Sequence, residues 1–380
     1  MSVLTDAHSF AGPLVFSGAS AGVPSAARMQ GEVEAHPLSP VRVGNVTLAS
    51  PMVVAPMAGM TDSAFRRLVK RNGGCGLVVT EMVSADGLVR GIDRTLEYAE
   101  YTEEERPVSI QIFGGDPAKM ADAAQIIESL GADIVDVNMG CPVNKIARHN
   151  AGCSLMREPE HAAAIINAMA RAVRIPVTVK MRAGWNELQR NAPELARMVA
   201  DAGAAAVTVH GRTAEQSYSG SADWDLVRRV RDGVGIPVFG SGDCVEPDQI
   251  LSKLTSGVDG VLVGRGVLRN PWILAQAAQA AAGLPMVPVS LAQRGQFLLD
   301  YMEMLLQEGE AEAAGFRHTA GAGGSTHRNK EKWVVNKIRA LCAWYTKGLE
   351  GGAELRVRVN TAPTLPTLQA LVRQFFGAFE

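Results

Sequence analysis

Short apolar runs alternate along the chain with longer segments in which apolar residues recur every three or four positions. The runs are rich in Val and Ile, and each has the length of a strand. They cover residues 51–56, 76–81, 107–112, 133–138, 176–181, 205–210, 236–240 and 258–264. Amphipathic segments typical of helices follow most of them, including 116–130, 158–173, 190–203, 223–233 and 246–256.

This alternation predicts the fold class. Strands that are buried on both faces of a parallel sheet have continuous apolar runs, and each parallel pair needs a helical crossover. Eight such units in about 230 residues favour an α/β fold of the (β/α)8 TIM-barrel type over an open, doubly wound sheet, which generally has fewer strands. The first run is not followed by a Gly-x-Gly-x-x-Gly motif, which further disfavours a dinucleotide-binding fold.

The alternation ends near residue 275, and the pattern beyond it predicts helices alone. We expect a linker over 283–288, a Gly/Ala-rich loop over 313–325, and helices over 290–310, 330–348 and 365–378. The chain is therefore predicted to have three parts. They are a disordered N-terminal extension over 1–38, a barrel over 39–285 and an all-helical C-terminal domain over 286–380.

The charge of the chain gives no global sign of a nucleic-acid partner. Its 380 residues include 37 Lys and Arg against 39 Asp and Glu, a formal net charge of −2. Residues 286–380, however, hold 11 Lys and Arg against 9 Asp and Glu, and the excess lies around Trp333. The basic residues there are Arg328, Lys330, Lys332, Lys337 and Arg339. Such a cluster is typical either of a solvated helix face or of a surface that binds phosphates and unstacked bases.

Several classes of protein are disfavoured. No stretch approaches the roughly 20 apolar residues that span a bilayer. The five cysteines are widely spaced without a Cys-x-x-Cys pair, which argues against a disulfide framework and a zinc site. The N-terminal stretch has Asp6 ahead of its apolar residues and Arg28 as its one basic residue, unlike a signal peptide. We expect a cytoplasmic protein with neither a membrane partner nor a metal.

Polar residues lie at or just after the predicted strand ends. In a parallel barrel these ends surround the mouth in which active sites are built. A Pro/Gly loop with Pro56, Met57 and Ala58 follows the first strand and can lay its backbone against a flat ligand. The other candidates are Gln111, Lys180, Arg182, His210, Arg212, Ser241, Gly242 and Asp243. Each alone is typical of a satisfied strand-end group, but together they predict a ligand site.

The loops after the last two strands, 240–243 and 264–266, predict a phosphate site. Glycine-rich loops at these positions of a barrel bind phosphate through backbone N–H groups. Arg265, next to Gly264, can add a bidentate contact. The ligand is then either a flavin mononucleotide, whose ring would occupy the apolar mouth, or a sugar phosphate. A sugar phosphate would need no lysine or glutamine near a ring.

Cys141 is the sharpest candidate for a reactive group. It follows the fourth strand in the run Asn138-Met-Gly-Cys-Pro, within a glycine-bearing loop near Lys145 and His149. A structural thiol generally lies among apolar neighbours, so this context predicts a nucleophile or a proton donor. Metal binding by Cys141 and Cys153 is the weaker interpretation, because neither has partners at ligand spacing.

Together these motifs resemble the tRNA-dihydrouridine synthases, closest to the bacterial B-type group. The resemblance covers about residues 38–380, and its most specific element is Asn138-Met-Gly-Cys-Pro. The other elements are Pro56-Met-Ala-Gly-Met-Thr-Asp, Gln111-Ile-Phe-Gly, Lys180-Met-Arg-Ala-Gly-Trp, Val209-His-Gly-Arg-Thr and Gly264-Arg-Gly-Val-Leu-Arg-Asn-Pro-Trp. The resemblance implies a barrel that binds FMN and a helical domain that helps to hold tRNA.

The resemblance also implies a reaction and a set of contacts. Reduced FMN would transfer hydride from N5 to C6 of an extruded tRNA uridine, and Cys141 would protonate C5 to give 5,6-dihydrouridine. NADPH, or NADH, would reduce the flavin. FMN would contact Pro56, Met57, Ala58, Gln111, Lys180, His210, Ser241, Gly242, Asp243, Gly264 and Arg265. The substrate would contact Asn138, Arg182 and Arg212 near the base, and Lys332 and Lys337 on the helical domain.

Two features depart from the family pattern, and two other functions stay open. Ser241 stands where the family generally has Asn, and residues 315–325 look like an insertion. One alternative is an FMN-dependent reductase of a free pyrimidine, similar to dihydroorotate dehydrogenase, which would not need a basic helical domain. The other is an RNA-binding protein without turnover, which would hold no flavin.

Overall fold

The computed structural model describes residues 38–143, 146, 150–308, 315–319 and 329–377. Apart from Leu38, the predicted N-terminal extension lies outside these residues, as do Lys145, His149, Arg328 and residues 320–325. The described barrel and helices belong to one compact unit. The predicted domain division at residue 285 therefore stays a prediction.

A closed parallel barrel forms the centre of the described structure. Its strands and the accessory strands are β1 (Val41–Val43), β2 (Val46–Leu48), β3 (Met52–Val54), β4 (Leu77–Val79), β5 (Val83–Ser84), β6 (Tyr101–Thr102), β7 (Val108–Phe113), β8 (Ile134–Met139), β9 (Val177–Arg182), β10 (Ala206–His210), β11 (Val238–Ser241), β12 (Gly260–Val263) and β13 (Arg317–His318). The barrel order is β3-β4-β7-β8-β9-β10-β11-β12, closed by the pairing of β12 with β3. These are the eight predicted strands, so the (β/α)8 fold class is confirmed.

Helices surround the barrel and continue after it. They are α1 (Ser63–Asn72), α2 (Ala85–Val89), α3 (Asp93–Glu97), α4 (Pro117–Ser129), α5 (Pro159–Ala172), α6 (Ala192–Asp201), α7 (Trp224–Asp232), α8 (Pro247–Leu254), α9 (Arg265–Arg269), α10 (Ile273–Ala281), α11 (Leu291–Gln307), α12 (Lys330–Tyr345), α13 (Gly352–Thr361) and α14 (Leu365–Phe376). The predicted helices are present with slightly shorter ends. The sequence does not predict α13, whose glycine and β-branched residues have weak helix propensity.

The barrel interior has an apolar floor beneath a polar mouth. The floor consists of buried side chains from the strands and from the β1–β2 hairpin: Val43, Leu48, Val53, Leu77, Ile134, Ala206, Phe239 and Leu262. Successive strand residues point to opposite faces, so Val135 and Val137 pack outward against the helices. Nearer the mouth, the inward positions include Ser109, Asp136 and Thr178. Strand alternation therefore aims polar groups at the end where ligands bind.

An aromatic cluster joins the barrel helices to the helices that follow. The ring of Phe65 in α1 lies edge-on to Phe297 and Tyr301 in α11, with centroids 6.1 and 6.0 Å apart. Phe297 also packs against Trp272 at 5.3 Å and stacks on Tyr345 of α12 at 5.7 Å. Large aromatic rings of this kind supply much of the apolar area buried in a core. The helical region is therefore attached to the barrel by a shared core.

Part of the predicted loop over 313–325 is an added strand. Arg317 and His318 form β13, which pairs antiparallel with β6. The ring of His318 stacks on Tyr101, with centroids 4.5 Å apart and an interplanar angle of 9°. The described part of this segment is thus fixed onto the barrel.

A buried ion pair supports the loop between β3 and α1. Arg66 Nε lies 2.5 Å from Glu105 Oε2, and the two side chains are 2% and 0% exposed. Arg66 also donates to the carbonyl oxygens of Thr61 and Glu100, and Ser63 donates to the other oxygen of Glu105. A buried charge needs this degree of hydrogen bonding to be tolerated. The pair connects the start of α1 to the segment that precedes β7.

Replacing Arg66 by Met should destabilise the protein strongly, because it leaves the carboxylate of Glu105 buried without its charged partner. We expect a loss of about 3–5 kcal/mol in the free energy of unfolding, measured by urea titration. Arg228→Met is the matched control, since the ion pair of Arg228 with Asp225 is exposed and should contribute little. Equal stability of Arg66→Met and wild type would contradict the assigned role of the pair.

Candidate active site

The predicted site residues converge at the carboxyl end of the barrel. Asn138 lies opposite Lys180 in the β8–β9 pairing, and His210 lies opposite both Arg182 and Ser241. These positions form two successive inward-facing rows of the sheet, Asn138 with Lys180 and then Arg182 with His210 and Ser241. They alternate with outward-facing residues such as Val179 and Met181. The sequence-based expectation that these strand ends meet is therefore confirmed by the barrel register.

A chain of hydrogen bonds crosses the barrel interior just below the mouth. Asp136 accepts from Thr178 Oγ1 at 2.6 Å and from Gln111 Nε2 at 2.7 Å. Gln111 Oε1 in turn accepts from Asn138 Nδ2 at 2.7 Å. A carboxylate offers only acceptors, so it orients the amide of Gln111, and that amide orients Asn138. Asp136 is not among the site residues predicted from the sequence, although its alternation with Val135 and Val137 predicts that it faces inward.

The loop that carries Cys141 is held by this chain. Asn138 Oδ1 accepts from the backbone N–H groups of Gly140 at 3.1 Å and Cys141 at 2.9 Å. The carbonyl oxygen of Cys141 accepts from the backbone of Cys153 at 3.1 Å. Cys141 is half-buried at the end of β8, whereas Cys153 is buried beside it. Polar contacts on both sides thus fix the loop segment that carries the thiol predicted to be reactive.

Burial shifts the protonation of two groups that line the interior. Desolvation, together with the nearby charge of Arg182, lowers the pKa of Lys180 to about 8. Desolvation raises the pKa of Asp136, opposed by the hydrogen bonds from Gln111 and Thr178. The side chain of Lys180 makes no hydrogen bond to any described residue. Its ammonium therefore has donors available for a ligand within the described part of the mouth.

His210 is neutral at physiological pH. Desolvation and the positive charges of Lys180, Arg182 and Arg212 lower its pKa to about 2. Arg265 contributes to the same field. Four basic side chains around one imidazole make this side of the mouth electropositive, which suits an anionic ligand.

Arg212 and Asp243 fix the loop at the phosphate end predicted from the sequence. Arg212 is 3% exposed, and it donates to Asp243 Oδ1 at 2.6 Å and to the carbonyl oxygens of Ser219 and Gly220. Asp243 also accepts from the backbone of Ala222, and its own φ of 56° lies in the left-handed region. The guanidinium of Arg212 is therefore occupied within the protein.

A pocket opens between the first and the last barrel loops. It encloses about 560 Å³, including space open to solvent, which falls within the size range of small-molecule sites. Pro56 and Met57 line one side, whereas Ala58 is exposed in the same loop. The remaining lining includes Lys180, His210, Tyr218, Ser241, Gly242, Asp243, Gly264 and Arg265. The cofactor contacts implied by the resemblance thus lie around one pocket, with Gln111 in the adjoining interior and Ala58 turned to solvent.

Arg182 links two mouth loops and approaches a residue that the sequence analysis misses. Arg182 donates to the carbonyl oxygens of Gly140, Thr213 and Ser217 at 2.8, 3.0 and 2.9 Å. Tyr218, which follows, is 61% exposed, and its ring centre lies 4.7 Å from the guanidinium carbon of Arg265 and 5.9 Å from that of Arg182. A signal was present in the sequence, since a lone aromatic in a polar loop after a barrel strand is poorly placed for a core.

Comparison with known proteins agrees with this geometry. The model of the family described as "Dihydrouridine synthase (Dus)" matches residues 53–376. A protein named tRNA-dihydrouridine synthase B from Xanthomonas campestris is 36% identical over 340 residues, covering 89% of this chain and 96% of its own length. One from Rickettsia prowazekii named probable tRNA-dihydrouridine synthase is 36% identical over 340 residues, with 88% and 97% covered. The chain belongs to the dihydrouridine synthase family.

A solved structure extends the comparison to the fold alone. Histamine dehydrogenase from Rhizobium sp. 4-9 superposes with a TM-score of 0.51 at 14% identity, covering 70% of this chain and 50% of that protein. Among the described residues of this dihydrouridine synthase family member, no cluster of three or more His, Cys, Asp or Glu has the arrangement of a metal site. Within the same residues, the helices are all too short or too polar to cross a membrane.

The two lysines predicted to bind RNA differ in their surroundings. Lys332 is exposed near the start of α12 of this family member. Lys337 is half-buried and points to the barrel, where its Nζ lies 3.0 Å from Asp62 and 3.3 Å from Glu81. The structure therefore does not bring the two ammonium groups together on one surface.

Cys141 should be the first cysteine of this family member to react with iodoacetamide near neutral pH. Burial raises the pKa of Cys153 to about 11, and those of Cys244 and Cys342 to about 12. Burial also raises the pKa of Cys75, whose Sγ donates to the carbonyl oxygen of Leu77. Since the thiolate is the reacting form, these four should be slow. Peptide mass spectrometry at short times measures the order, and Cys75 reacting as fast as Cys141 would contradict the placement.

Proposed function

We propose that this protein reduces the C5=C6 bond of specific uridines in tRNA to 5,6-dihydrouridine, using FMN as cofactor and NADPH, or NADH, as reductant. The observation that carries the proposal is Cys141 at the mouth of the barrel, held by Asn138 in a chain that belongs to the dihydrouridine synthase family. Relatives of similar length bear the name tRNA-dihydrouridine synthase. The protein is accordingly proposed to be a flavin-dependent oxidoreductase.

The residues around the pocket fit FMN. At one end, Gly242 and Asp243 follow β11 and Gly264 and Arg265 follow β12, which supplies backbone N–H groups and a guanidinium for a phosphate. A Cβ added at Gly242 would lie only 2.6 Å from the Cβ of Ala222. The φ of 124° at this position also favours glycine. At the other end, Pro56 and Met57 offer an apolar wall for a ring. When bound, FMN would supply hydride to C6 of the uracil.

Lys180 and Arg182 would stabilise the charge that develops on the uracil. Hydride addition at C6 leaves negative charge toward C5 and O4, because the double bond is conjugated to the C4 carbonyl. Preorganised donors in a water-poor site stabilise such charge effectively. His210 would act as a neutral group, since its pKa of about 2 excludes an imidazolium. The lowered pKa of Lys180 indicates that an anion at its Nζ would be favourable.

Cys141 would hold the proton that is delivered to C5. Its backbone N–H donates to Asn138 Oδ1, which holds the loop that carries the thiol in place at the end of β8. The polar atoms of Asn138 are engaged with Gln111 and with the loop, and those of Arg212 with Asp243 and backbone carbonyls. Asn138 and Arg212 are predicted from the sequence to contact the substrate. Because their polar atoms are already engaged, we assign them the role of positioning residues.

Recognition of tRNA would use the mouth and the helical region together. A uridine must leave its stack to reach the barrel, and stacking and phosphate contacts outside the pocket can hold it extruded. Lys332 is exposed on α12 and is placed to contact a phosphate.

Incubating the protein with FMN, NADPH and tRNA that lacks dihydrouridine tests the whole proposal. We expect a gain of two hydrogens at a uridine by mass spectrometry, and NADPH oxidation that transfers no hydrogen to tRNA would refute it.

Replacing Cys141 by Ala should separate proton delivery from cofactor binding. We expect dihydrouridine formation to fall by about 10²-fold or more, the range of a lost general acid, while the flavin spectrum and affinity are retained. Cys75→Ala is the thiol control and should keep the wild-type rate, because Cys75 lies away from the mouth. Wild-type turnover by Cys141→Ala would rule out the acid assignment.

The affinity for FMN should fall as the pH rises through about 8. Lys180 is cationic below its lowered pKa and neutral above it, so binding that uses its charge is strongest at lower pH. By proton linkage, the Kd should rise about tenfold between pH 7 and pH 9. Lys180→Arg keeps its charge over this range and should show a flat profile. Fluorescence titration of FMN measures both, and parallel curves for the two proteins would contradict the assignment.

A further inference from the structure

The ammonium group of Lys337 joins helix α12 to the loop after the first barrel strand. Its Nζ lies 3.0 Å from Asp62 Oδ2 and 3.3 Å from Glu81 Oε1, and it donates to the carbonyl oxygen of Gly59 at 3.0 Å. The Lys337 side chain is 12% exposed, and those of Asp62 and Glu81 are 10% and 8% exposed. An ammonium has three N–H donors. Three acceptors within the protein leave it none for a phosphate outside.

The loop in question forms one wall of the pocket. Pro56 and Met57 line the pocket, and the loop then turns at Gly59, whose φ of 78° lies in the left-handed region that favours glycine. The N–H of Gly59 donates to Glu81 Oε2 at 2.5 Å, and its carbonyl oxygen accepts from Lys337. Both polar groups of this turn are therefore held, one from the end of β4 and one from the helical region.

Lys337 offsets part of the negative charge at this junction. Asp62 and Glu81 are two carboxylates that share one ammonium, and without it they would repel each other in a buried setting. Burial alone lowers the pKa of Lys337, but the charges of Asp62 and Glu81 raise it above its ordinary value. Lys337 is therefore cationic at physiological pH.

A second contact from the helical region supports the same carboxylate. Tyr301 of α11 donates its hydroxyl to Asp62 Oδ2 at 2.6 Å. Burial raises the pKa of Tyr301 well above its ordinary value, so the hydroxyl stays a donor. Asp62 Oδ1 meanwhile accepts from the backbone of Phe65 and caps α1. Two helices of the helical region thus fix the point at which the pocket loop enters α1.

We propose that Lys337 is a positioning residue for the cofactor loop, through which the helical region completes the flavin site of the barrel. The inference rests on the proposed function, because it takes Pro56 and Met57 to contact FMN. It gives Lys337 a role different from the tRNA contact predicted from the basic cluster. Lys332, exposed on the same helix, keeps the predicted phosphate contact.

Paired variants of these lysines test the proposal in the full-length protein. Lys337→Gln removes the charge shared by Asp62 and Glu81, so the Kd for FMN should rise about tenfold, the scale of a lost buried contact. With FMN saturating, the slope of log K for tRNA binding against log salt should stay at the wild-type value. Lys332→Ala should do the reverse, keeping the Kd for FMN and reducing the slope by about one phosphate contact.

Two further variants distinguish a loss of positioning from a loss of folding. Lys337→Arg restores the charge and should bring the Kd for FMN back toward the wild-type value. Tyr301→Phe removes only the neutral contact to Asp62 and should raise that Kd about threefold, a modest hydrogen-bond effect. Circular dichroism checks that each variant is folded. If Lys337→Gln does not fold, the Kd of Tyr301→Phe for FMN decides the test.

The outcomes separate the inference from the proposed function. An unchanged Kd for FMN in Lys337→Gln, together with a flatter salt dependence of tRNA binding, would overturn the inference and restore the phosphate contact. If Lys337→Gln does not fold, an unchanged Kd for FMN in a folded Tyr301→Phe would also overturn the inference. A wild-type protein that binds no FMN would instead overturn the proposed function, before any variant is compared.

Discussion

The mouth of the barrel depends on the carboxyl group of Asp136. It is 6% exposed, and its hydrogen bonds connect three neighbouring strands, from Thr178 on β9 through Asp136 on β8 to Gln111 on β7. A buried carboxylate without such donors would be very costly. Because it only accepts, it turns Gln111 so that Oε1 faces Asn138, and Asn138 then has its own oxygen left for the Cys141 loop. A reversed Gln111 amide would place two acceptors face to face.

Buried cations serve as cross-links between the loops around this network. Arg182 donates to carbonyl oxygens on the loops after β8 and β10. Arg212 joins the loop after β10 to Asp243 in the loop after β11, and Lys337 donates to Gly59 in the loop after β3. Charged groups are tolerated in such places when their donors are used. Lys180 differs, since its ammonium makes no hydrogen bond to a described residue and its pKa is lowered to about 8. A bound anion would compensate the ammonium for its lost solvation. An anionic group is therefore expected to bind most favourably next to Lys180.

The sequence predicts the barrel well because each strand is buried on both faces and leaves a continuous apolar run. It also predicts which strand ends carry polar groups, since parallel strands bring those ends to one side. It predicts less about side chains that act across long separations, such as Tyr301 and Asp62, which are 239 residues apart. For the basic cluster, by contrast, the sequence does carry a signal. Lys337 lies three residues after Val334 and four before Leu341, both buried, so helical spacing already places it on the inner face.

Two arginines lie beside Asp243 at the proposed phosphate end of the pocket, and the protein engages them to different degrees. Arg212 is 3% exposed and lies 2.6 Å from Asp243, whereas Arg265 is 31% exposed and lies 3.8 Å from the same carboxylate oxygen. A phosphate entering the pocket would have to break several hydrogen bonds to recruit Arg212, but only a weak ion pair to recruit Arg265. The ring of Tyr218 lies 4.7 Å from the guanidinium carbon of Arg265 and stabilises its charge from one side. Arg212 therefore fixes the shape of the loop, and Arg265 has the donors that a phosphate would use.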